Sequence, residues 1–336
     1  MKAGLGTFPK DRQILHEILP LDTPLGVDIH TTHFCNFKCN YCVLCLSDEE
    51  LASSEIKREI MTWETFELLV NQLKEFPRKI KMITMSGIGE ATTHPKVVDM
   101  VQLLDKSNVT NKIQIISNGA LLTPKLGEKL IEAGLNELRI SLQGLSSEKY
   151  RQICGANIDW DEYYANLCYF SKIKGSCALK VKIVDTALNP GDDKKFYELF
   201  GDICDNVAIE YVYDAWKANG YPQLGNNRTG MKTRYGREFR QIKVCHRPFI
   251  RFDILPSGKF TQFCHTCFGH EKNIREMSVV EQWNSVNQNQ LRRDMLNGRR
   301  FDFEQRKNCS MIEEAWHPED ILDGREAEIL ARMGSM

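Results

Sequence analysis

The sequence predicts an α/β fold, an open partial (β/α)6 barrel followed by a smaller, cysteine-bearing α+β extension. Three observations carry the prediction. Six short β-rich runs recur along the first two thirds of the chain, stretches of helical periodicity separate them, and a hairpin signature follows near the far end. Strands alternating with helices imply βαβ crossovers and a parallel sheet. Six such units fall short of the eight that close a full barrel.

The β-rich runs are Gly26–His30, Lys81–Met85, Lys112–Ser117, Glu137–Leu142, Leu179–Asp185 and Asn206–Tyr211. Between them lie Thr62–Phe76, Pro95–Leu104, Pro124–Gly134, Trp160–Ile173 and Asp193–Cys204, where apolar residues recur at three- and four-residue spacing. That spacing gives each helix one face to bury. The stretch 217–244 is rich in turn residues and has no clean period, which marks a linker. Beyond it, Ile250–Leu255, the turn Pro256-Ser-Gly258 and Lys259–Cys264 read as a hairpin, with a helix expected over Val279–Leu296. The expected organisation is a lead segment 1–25, a barrel 26–216, a linker 217–244 and a C-terminal region 245–336.

Composition narrows the function classes. A chain of 336 residues with 42% hydrophobic content has material for a full-sized core. A net charge of −1 argues against non-specific nucleic-acid binding. No apolar run approaches the roughly 20 residues a membrane span needs, and Met1–Lys10 lacks the apolar core of a signal peptide. Twelve cysteines without an export signal point to a reducing, cytoplasmic compartment, where clustered cysteines read as metal or redox sites.

Directly after the first strand comes His33-Phe-Cys-Asn-Phe-Lys-Cys-Asn-Tyr-Cys42. Cys35, Cys39 and Cys42 are too close together to be three inert core residues. An iron–sulfur cube usually takes four cysteines, so three nearby ligands leave one iron open. An open position separates a catalytic metal site from a structural one. The competing readings are a zinc site or a chance cluster of buried thiols. Cys45, three residues on, is either a free thiol or a fourth ligand that would close the cluster and make the protein an electron carrier.

The segment resembles the signature of the radical S-adenosylmethionine enzymes, and Tyr41 matches the aromatic residue that family places before the third cysteine. The resemblance implies a 4Fe-4S cluster on Cys35, Cys39 and Cys42 whose open iron chelates S-adenosylmethionine. Reductive cleavage of that cofactor then yields a 5′-deoxyadenosyl radical that abstracts hydrogen from substrate. It also implies a partial barrel and a flavodoxin- or ferredoxin-type electron donor. Gly87-Ile-Gly89-Glu90, after the second strand, resembles the family's glycine-rich motif for the cofactor's amino group. Glycines expose backbone carbonyls, and Glu90 is suited to accept from an ammonium group. By family position, Asn118, Ser141 and Arg151 are the ribose and carboxylate partners, with turn capping or a solvated charge as the alternative.

A second cysteine set, Cys245, Cys264, Cys267 and Cys309, resembles the SPASM and twitch extensions of this family, which hold auxiliary iron–sulfur clusters. Cys245-His-Arg-Pro-Phe249, the hairpin and Ser278–Asn284 carry that likeness. One auxiliary 4Fe-4S cluster is implied. The tail departs from the family's closing Cys-x2-Cys, so the fourth ligand falls to Cys267, to His265 or His270, or to none. A zinc ribbon competes for the same residues.

The substrate is expected to be a small molecule, phosphorylated or nucleotide-linked. Arg228, Lys232, Arg234, Arg237, Arg240, Lys243, Arg247 and Arg251 form a basic stretch suited to phosphate, or else a solvated linker face. Arg139-Ile-Ser-Leu-Gln-Gly144 and Lys182-Ile-Val-Asp185 resemble radical enzymes of carbohydrate and aminocyclitol chemistry. Oxidation and epimerisation compete. Epimerisation needs a hydrogen-donating thiol, for which Cys45, Cys154 and Cys267 are candidates. The rivals are a maturase of a ribosomally made peptide, disfavoured by the few residues in Met1–Leu25, and a non-catalytic electron carrier.

Overall fold

The computed structural model describes residues 12–51, 56–212, 233–261, 272–302, 309 and 311–334. Strands β1 (Gly26–Ile29), β2 (Met82–Met85), β3 (Ile113–Ser117), β4 (Glu137–Leu142), β5 (Ala178–Val184) and β6 (Asn206–Glu210) pair in sequence order, all parallel. This is the open α/β sheet expected for a partial barrel. Helices cross between the strands, among them Trp63–Leu73, Val97–Ser107, Pro124–Glu132, Trp160–Ile173 and Asp192–Phe200.

Local chemistry sets these helix starts. Thr62, Thr123 and Asp159 each accept a backbone N–H of the first turn, and Pro124 occupies a position whose N–H needs no partner. Helix Ser147–Cys154, like Glu326–Gly334, lies outside the periodic stretches read from the sequence. Its signals were present: Ser146 caps the start by accepting from Lys149 N, and Gly155 closes the end at φ 65°. The helix expected over Val279–Leu296 is two helices, Val279–Trp283 and Val286–Leu296. Ser285 restarts the second by accepting from Gln288 N.

The hairpin forms, and its position is new information. Strand β7 (Arg251–Ile254) pairs parallel with the outer edge of β1, and β8 (Phe260–Thr261) pairs antiparallel with β7. One eight-stranded sheet results, ordered β6-β5-β4-β3-β2-β1-β7-β8. Apolar packing holds the hairpin there. Phe252 stacks on Phe260 with ring centroids 4.6 Å apart and packs against Phe76 and Trp283. Trp283 Nε1 donates to Leu21 O at 3.2 Å, and Gln72 Nε2 donates to Ile274 O at 2.9 Å. Edge pairing of β1 thereby joins the C-terminal region to the barrel sheet.

Side chains alternate along the strands as a pleated sheet requires. In β4 and β5, Leu138, Ile140, Leu142, Leu179, Val181 and Ile183 are buried. Residues of the opposite phase, Arg139, Ser141, Lys180 and Lys182, are half-buried and polar. Near the start of these strands, buried Glu137 accepts from Lys112, Gln114 and Lys180. At the carboxyl ends the polar residues open into a cavity.

Candidate active site

The cavity, of about 320 Å³, is lined by Cys35, Cys39, Tyr41 and Cys42 from the loop after β1 and by Gly87, Gly89 and Glu90 after β2. Asn118 after β3, Ser141 and Gln143 at the end of β4, Lys182 on β5 and Glu210 on β6 complete its walls, with Arg234 beside them. Residues far apart in sequence meet here because parallel strands deliver their carboxyl ends to one face.

The cysteine loop is fastened from several sides. Lys38 N donates to Cys154 O at 3.0 Å and Asn40 N to Ile153 O at 2.9 Å, seating the loop on the end of helix Ser147–Cys154. Tyr41 Oη donates to Gln143 Oε1, which ties the loop to the end of β4. Behind it, His30 and His33 share a hydrogen bond of 3.2 Å, and His33 Nδ1 lies 2.9 Å from Lys57 O. His30 Nε2 lies 3.5 Å from Asp253 Oδ2 on β7, so the hairpin reaches the back of the cysteine loop.

The glycine loop after β2 shows why glycine is needed. Gly87 and Gly89 adopt φ of 109° and 108°. A Cβ on Gly87 would sit 2.3 Å from His30 Nε2, and one on Gly89 would sit 2.2 Å from Thr32 O. Both the left-handed backbone and the close packing exclude a side chain. Glu90 N donates to Phe34 O at 2.9 Å, bracing this loop against the cysteine loop.

Of the other residues named from the sequence, Glu90 is buried, with its carboxylate accepting from Thr92 N, Thr92 Oγ1, Ser117 Oγ and Asn118 N. It therefore knits the ends of β2 and β3 together. Asn118 Nδ2 donates to Asn36 Oδ1 at 2.7 Å, beside Cys35. Arg151 is exposed, pairs with Glu148 at 2.6 Å and does not line the cavity. Neither Cys45 nor Cys154 lines it. Cys45 packs against the apolar group around Leu44 and Ile88, and Cys154 is buried, donating to Tyr150 O at 3.0 Å. Cys264 and Cys267, with His265 and His270, lie outside the described residues.

Cys245 and Cys309 both lie close to the buried Arg300 guanidinium. That group donates to Cys309 O at 2.7 Å, to Ile242 O at 2.6 Å and to both oxygens of Glu313. Of the basic stretch, Arg234 faces the cavity, whereas Arg237 donates to Trp316 O and Arg251 pairs with Asp28. Arg228 and Lys232 lie outside the described residues.

What the sequence reading missed is the wall opposite the cysteines. Glu210 accepts from Arg139 at 2.5 Å, from Lys182 at 2.9 Å and from Arg234 at 2.5 Å. Burial alone would raise the Glu210 carboxyl, but Arg234, Lys182 and Arg139 hold it well below the usual carboxylate range. Burial, reinforced by Arg234, pulls the Lys182 ammonium down to about 7.

The three cysteines fit an iron–sulfur cluster by the chemistry of the donor set. Burial pushes the Cys35 thiol up to about 12 and raises Cys42, and neighbouring thiolates would raise one another further. Three thiolates share such a place when bound metal offsets their charge. In the conformation described, Cys39 shares a hydrogen bond with Cys154. No group of three or more His, Cys, Asp or Glu among the described residues is gathered closely enough to hold a single metal ion.

A protein-family model described as the radical SAM superfamily matches residues 29–200, from the end of β1 through the helix before β6. The chain belongs to the radical SAM superfamily. A 4Fe-4S cluster with S-adenosylmethionine is its cofactor pair. The chain is 30% identical over 295 residues to a tungsten-containing aldehyde ferredoxin oxidoreductase cofactor-modifying protein of Pyrococcus furiosus, covering 76% of this chain and 80% of that one. It is 31% identical over 152 residues to a GTP 3',8-cyclase of Microcystis aeruginosa, spanning 45% of this chain and 44% of the cyclase.

Among solved structures, BtrN in complex with AdoMet and 2-DOIA superposes with a TM-score of 0.54 at 17% identity, covering 86% of this chain and 93% of that one. SuiB of Streptococcus suis bound to its precursor peptide SuiA gives 0.63 at 14% identity, covering 83% and 68%. These likenesses show the radical SAM fold. Among the described residues, no helix is long and apolar enough to cross a membrane.

Proposed function

We propose that this radical SAM enzyme abstracts hydrogen from a carbohydrate-type substrate, a sugar, nucleotide sugar or aminocyclitol, leading to oxidation or epimerisation. The observation that carries the reading is the polarity of the wall facing the cysteines, where Ser141, Gln143, Lys182, Glu210 and Arg234 line one cavity. Hydroxyl-rich or charged substrates find polar partners there, beside the apolar Leu142, Val184 and Val212 of the same lining.

When bound, the cluster and S-adenosylmethionine supply the 5′-deoxyadenosyl radical. The chain's own residues orient and enclose. Gly87 and Gly89 let backbone carbonyls approach a ligand's amino group, and the Tyr41–Gln143 bond holds the cysteine loop against β4. Asn118 and Ser141 are assigned to the cofactor's polar groups.

Cys245, Cys264, Cys267 and Cys309 are proposed to hold an auxiliary 4Fe-4S cluster, an acceptor for the second electron of an oxidation. A flavodoxin- or ferredoxin-type protein would supply the first electron. Cys45 and Cys154 do not line the cavity, and Cys267 serves as the hydrogen donor of an epimerisation only where it does not ligate the auxiliary cluster.

The test is 5′-deoxyadenosine formation by the anaerobically reconstituted protein across panels of nucleotide sugars, free sugars, aminocyclitols and peptides. Stimulation by a sugar or cyclitol, with product mass reporting oxidation or solvent deuterium reporting epimerisation, supports the reading. Stimulation by peptides alone overturns it.

A further inference from the structure

Three fully buried polar side chains, His30, His33 and Asp253, have no part in the chemistry proposed above. They come from two regions of the chain. His30 follows β1 and His33 opens the cysteine loop, both within residues 29–200 matched by the radical SAM family model. Asp253 lies on β7, outside that match. Burying a carboxylate and two imidazoles is costly unless polar partners receive them, and apolar side chains would fill the same space at less cost.

His30 is the hub. Its Nδ1 lies 3.2 Å from His33 Nε2, and the two rings meet edge to face with centroids 5.4 Å apart. His33 is anchored in turn, its N donating to Glu59 O at 2.8 Å and its Nδ1 to Lys57 O at 2.9 Å. On its other side the His30 ring packs on the glycine loop. Ile88 N points to His30 Nδ1 from 3.5 Å, and a Cβ on Gly87 would fall within 2.4 Å of three ring atoms. Turning this ring would therefore displace the His33 ring or the glycine-loop backbone. The strand that holds it is β7: His30 N donates to Ile254 O at 2.9 Å, and Asp253 Oδ2 faces His30 Nε2 at 3.5 Å. A carboxylate beside one ring nitrogen fixes an imidazole's tautomer and orientation.

We infer that Asp253 is a positioning residue for the radical site: through His30 it sets the cysteine loop and the glycine loop relative to each other and links both to the C-terminal region. Neither Asp253 nor His30 lines the cavity, so the effect passes through the two loops and not through contact with a ligand. The inference takes from the reading above only that the cofactor pair sits on these loops, and it holds for any substrate class. The Asp28–Arg251 pair is an internal contrast. It joins the same two strands, β1 and β7, two residues nearer their starts, and neither residue lines the cavity.

The experiment is titration of the reconstituted protein with S-adenosylmethionine. Iron content, melting temperature and the electron paramagnetic resonance spectrum of the reduced, cofactor-bound cluster are recorded on each sample. Asp253→Asn keeps the side chain's shape and removes its charge. It should bind the cofactor about fivefold more weakly, with an altered spectrum at wild-type iron content. Asp28→Asn should lower the melting temperature yet match wild type in affinity and spectrum. Where Asp253→Asn does not fold, His30→Gln takes its place, and amide hydrogen exchange on wild type gives a reading that needs no variant. Because coupling is reciprocal, S-adenosylmethionine should slow exchange in β7 more than in helix Pro124–Glu132. Wild-type affinity and spectrum in folded Asp253→Asn or His30→Gln, or no extra protection of β7, overturns the inference. Equal weakening in Asp28→Asn overturns it too, since pinning β7 to β1 would then be the whole effect. A wild type that binds no S-adenosylmethionine overturns the cofactor's seat itself, a failure distinct from the others.

Discussion

Glu90 Oε2 accepts from Asn118 N at 2.6 Å, joining the loop that follows β2 to the end of β3 across a separation of 28 residues. The other oxygen takes Thr92 N, Thr92 Oγ1 and Ser117 Oγ. A residue marked by the sequence as a ligand to the cofactor's amine is thus also a structural clasp for two strand ends. Glu90→Ala leaves those buried donors without an acceptor and should destabilise the protein by about 3 kcal/mol or more. Glu90→Gln keeps one acceptor oxygen and should cost less, about 1–2 kcal/mol. Chemical denaturation of both variants measures the difference, and equal stability of Glu90→Ala and wild type would refute the clasp.

The glycine loop yields a sharper local prediction. Gly89→Ala forces a Cβ into Thr32 O at a backbone φ of 108°. Strain of this kind costs roughly 1–3 kcal/mol. Because the loop braces the cysteine segment through Glu90 N and Phe34 O, affinity for S-adenosylmethionine should fall with stability. Thermal unfolding and cofactor titration on the same sample report both.

Much of this arrangement was legible in the sequence. The six barrel strands begin and end within one or two residues of the expected runs, because buried parallel strands are short apolar segments bounded by turn residues. The cysteine spacing pointed, without any structure, to three residues that line the cavity. Long-range pairing was not legible. Nothing local says that Arg251–Ile254 docks on β1, since edge pairing depends on Phe252, Phe76 and Trp283 meeting in space. The Glu210 cluster was hidden for a similar reason. Lys182 and Arg139 look like the solvent phase of their strands, and their meeting with Glu210 and Arg234 depends on contacts between residues far apart in sequence.

Cys245 and Cys309 flank Arg300, 1% exposed on its side chain and paired to Glu313. If these cysteines serve an auxiliary 4Fe-4S cluster, Cys245→Ala should lower the iron content of the reconstituted protein from about eight to about four per chain. Iron analysis and sulfide analysis together check this. Unchanged iron in the variant would remove Cys245 from the ligand set.

The C-terminal edge should be sensitive to acid. Burial and the nearby Arg12 draw the His317 imidazole down to about 4, with Arg237 and His246 adding to the effect and Asp320 opposing it. The folded state therefore holds His317 neutral, while the unfolded chain protonates it near its ordinary value of 6.5. The unfolded state binds more protons between these values, so this contribution to stability is full above about 6.5 and is lost as pH falls towards about 4. Melting temperatures between pH 7 and pH 5 should fall less steeply for His317→Gln than for wild type.

The central claim is that Cys35, Cys39 and Cys42 hold a cluster whose open iron engages S-adenosylmethionine in the cavity at the strand ends. Its most direct measurement is 5′-deoxyadenosine released from S-adenosylmethionine by anaerobically reconstituted, chemically reduced protein, wild type beside Cys42→Ala. Release by wild type and none by a folded Cys42→Ala variant is the predicted result. Iron-loaded wild type that never cleaves the cofactor, or cleavage that survives the loss of Cys42, would contradict it.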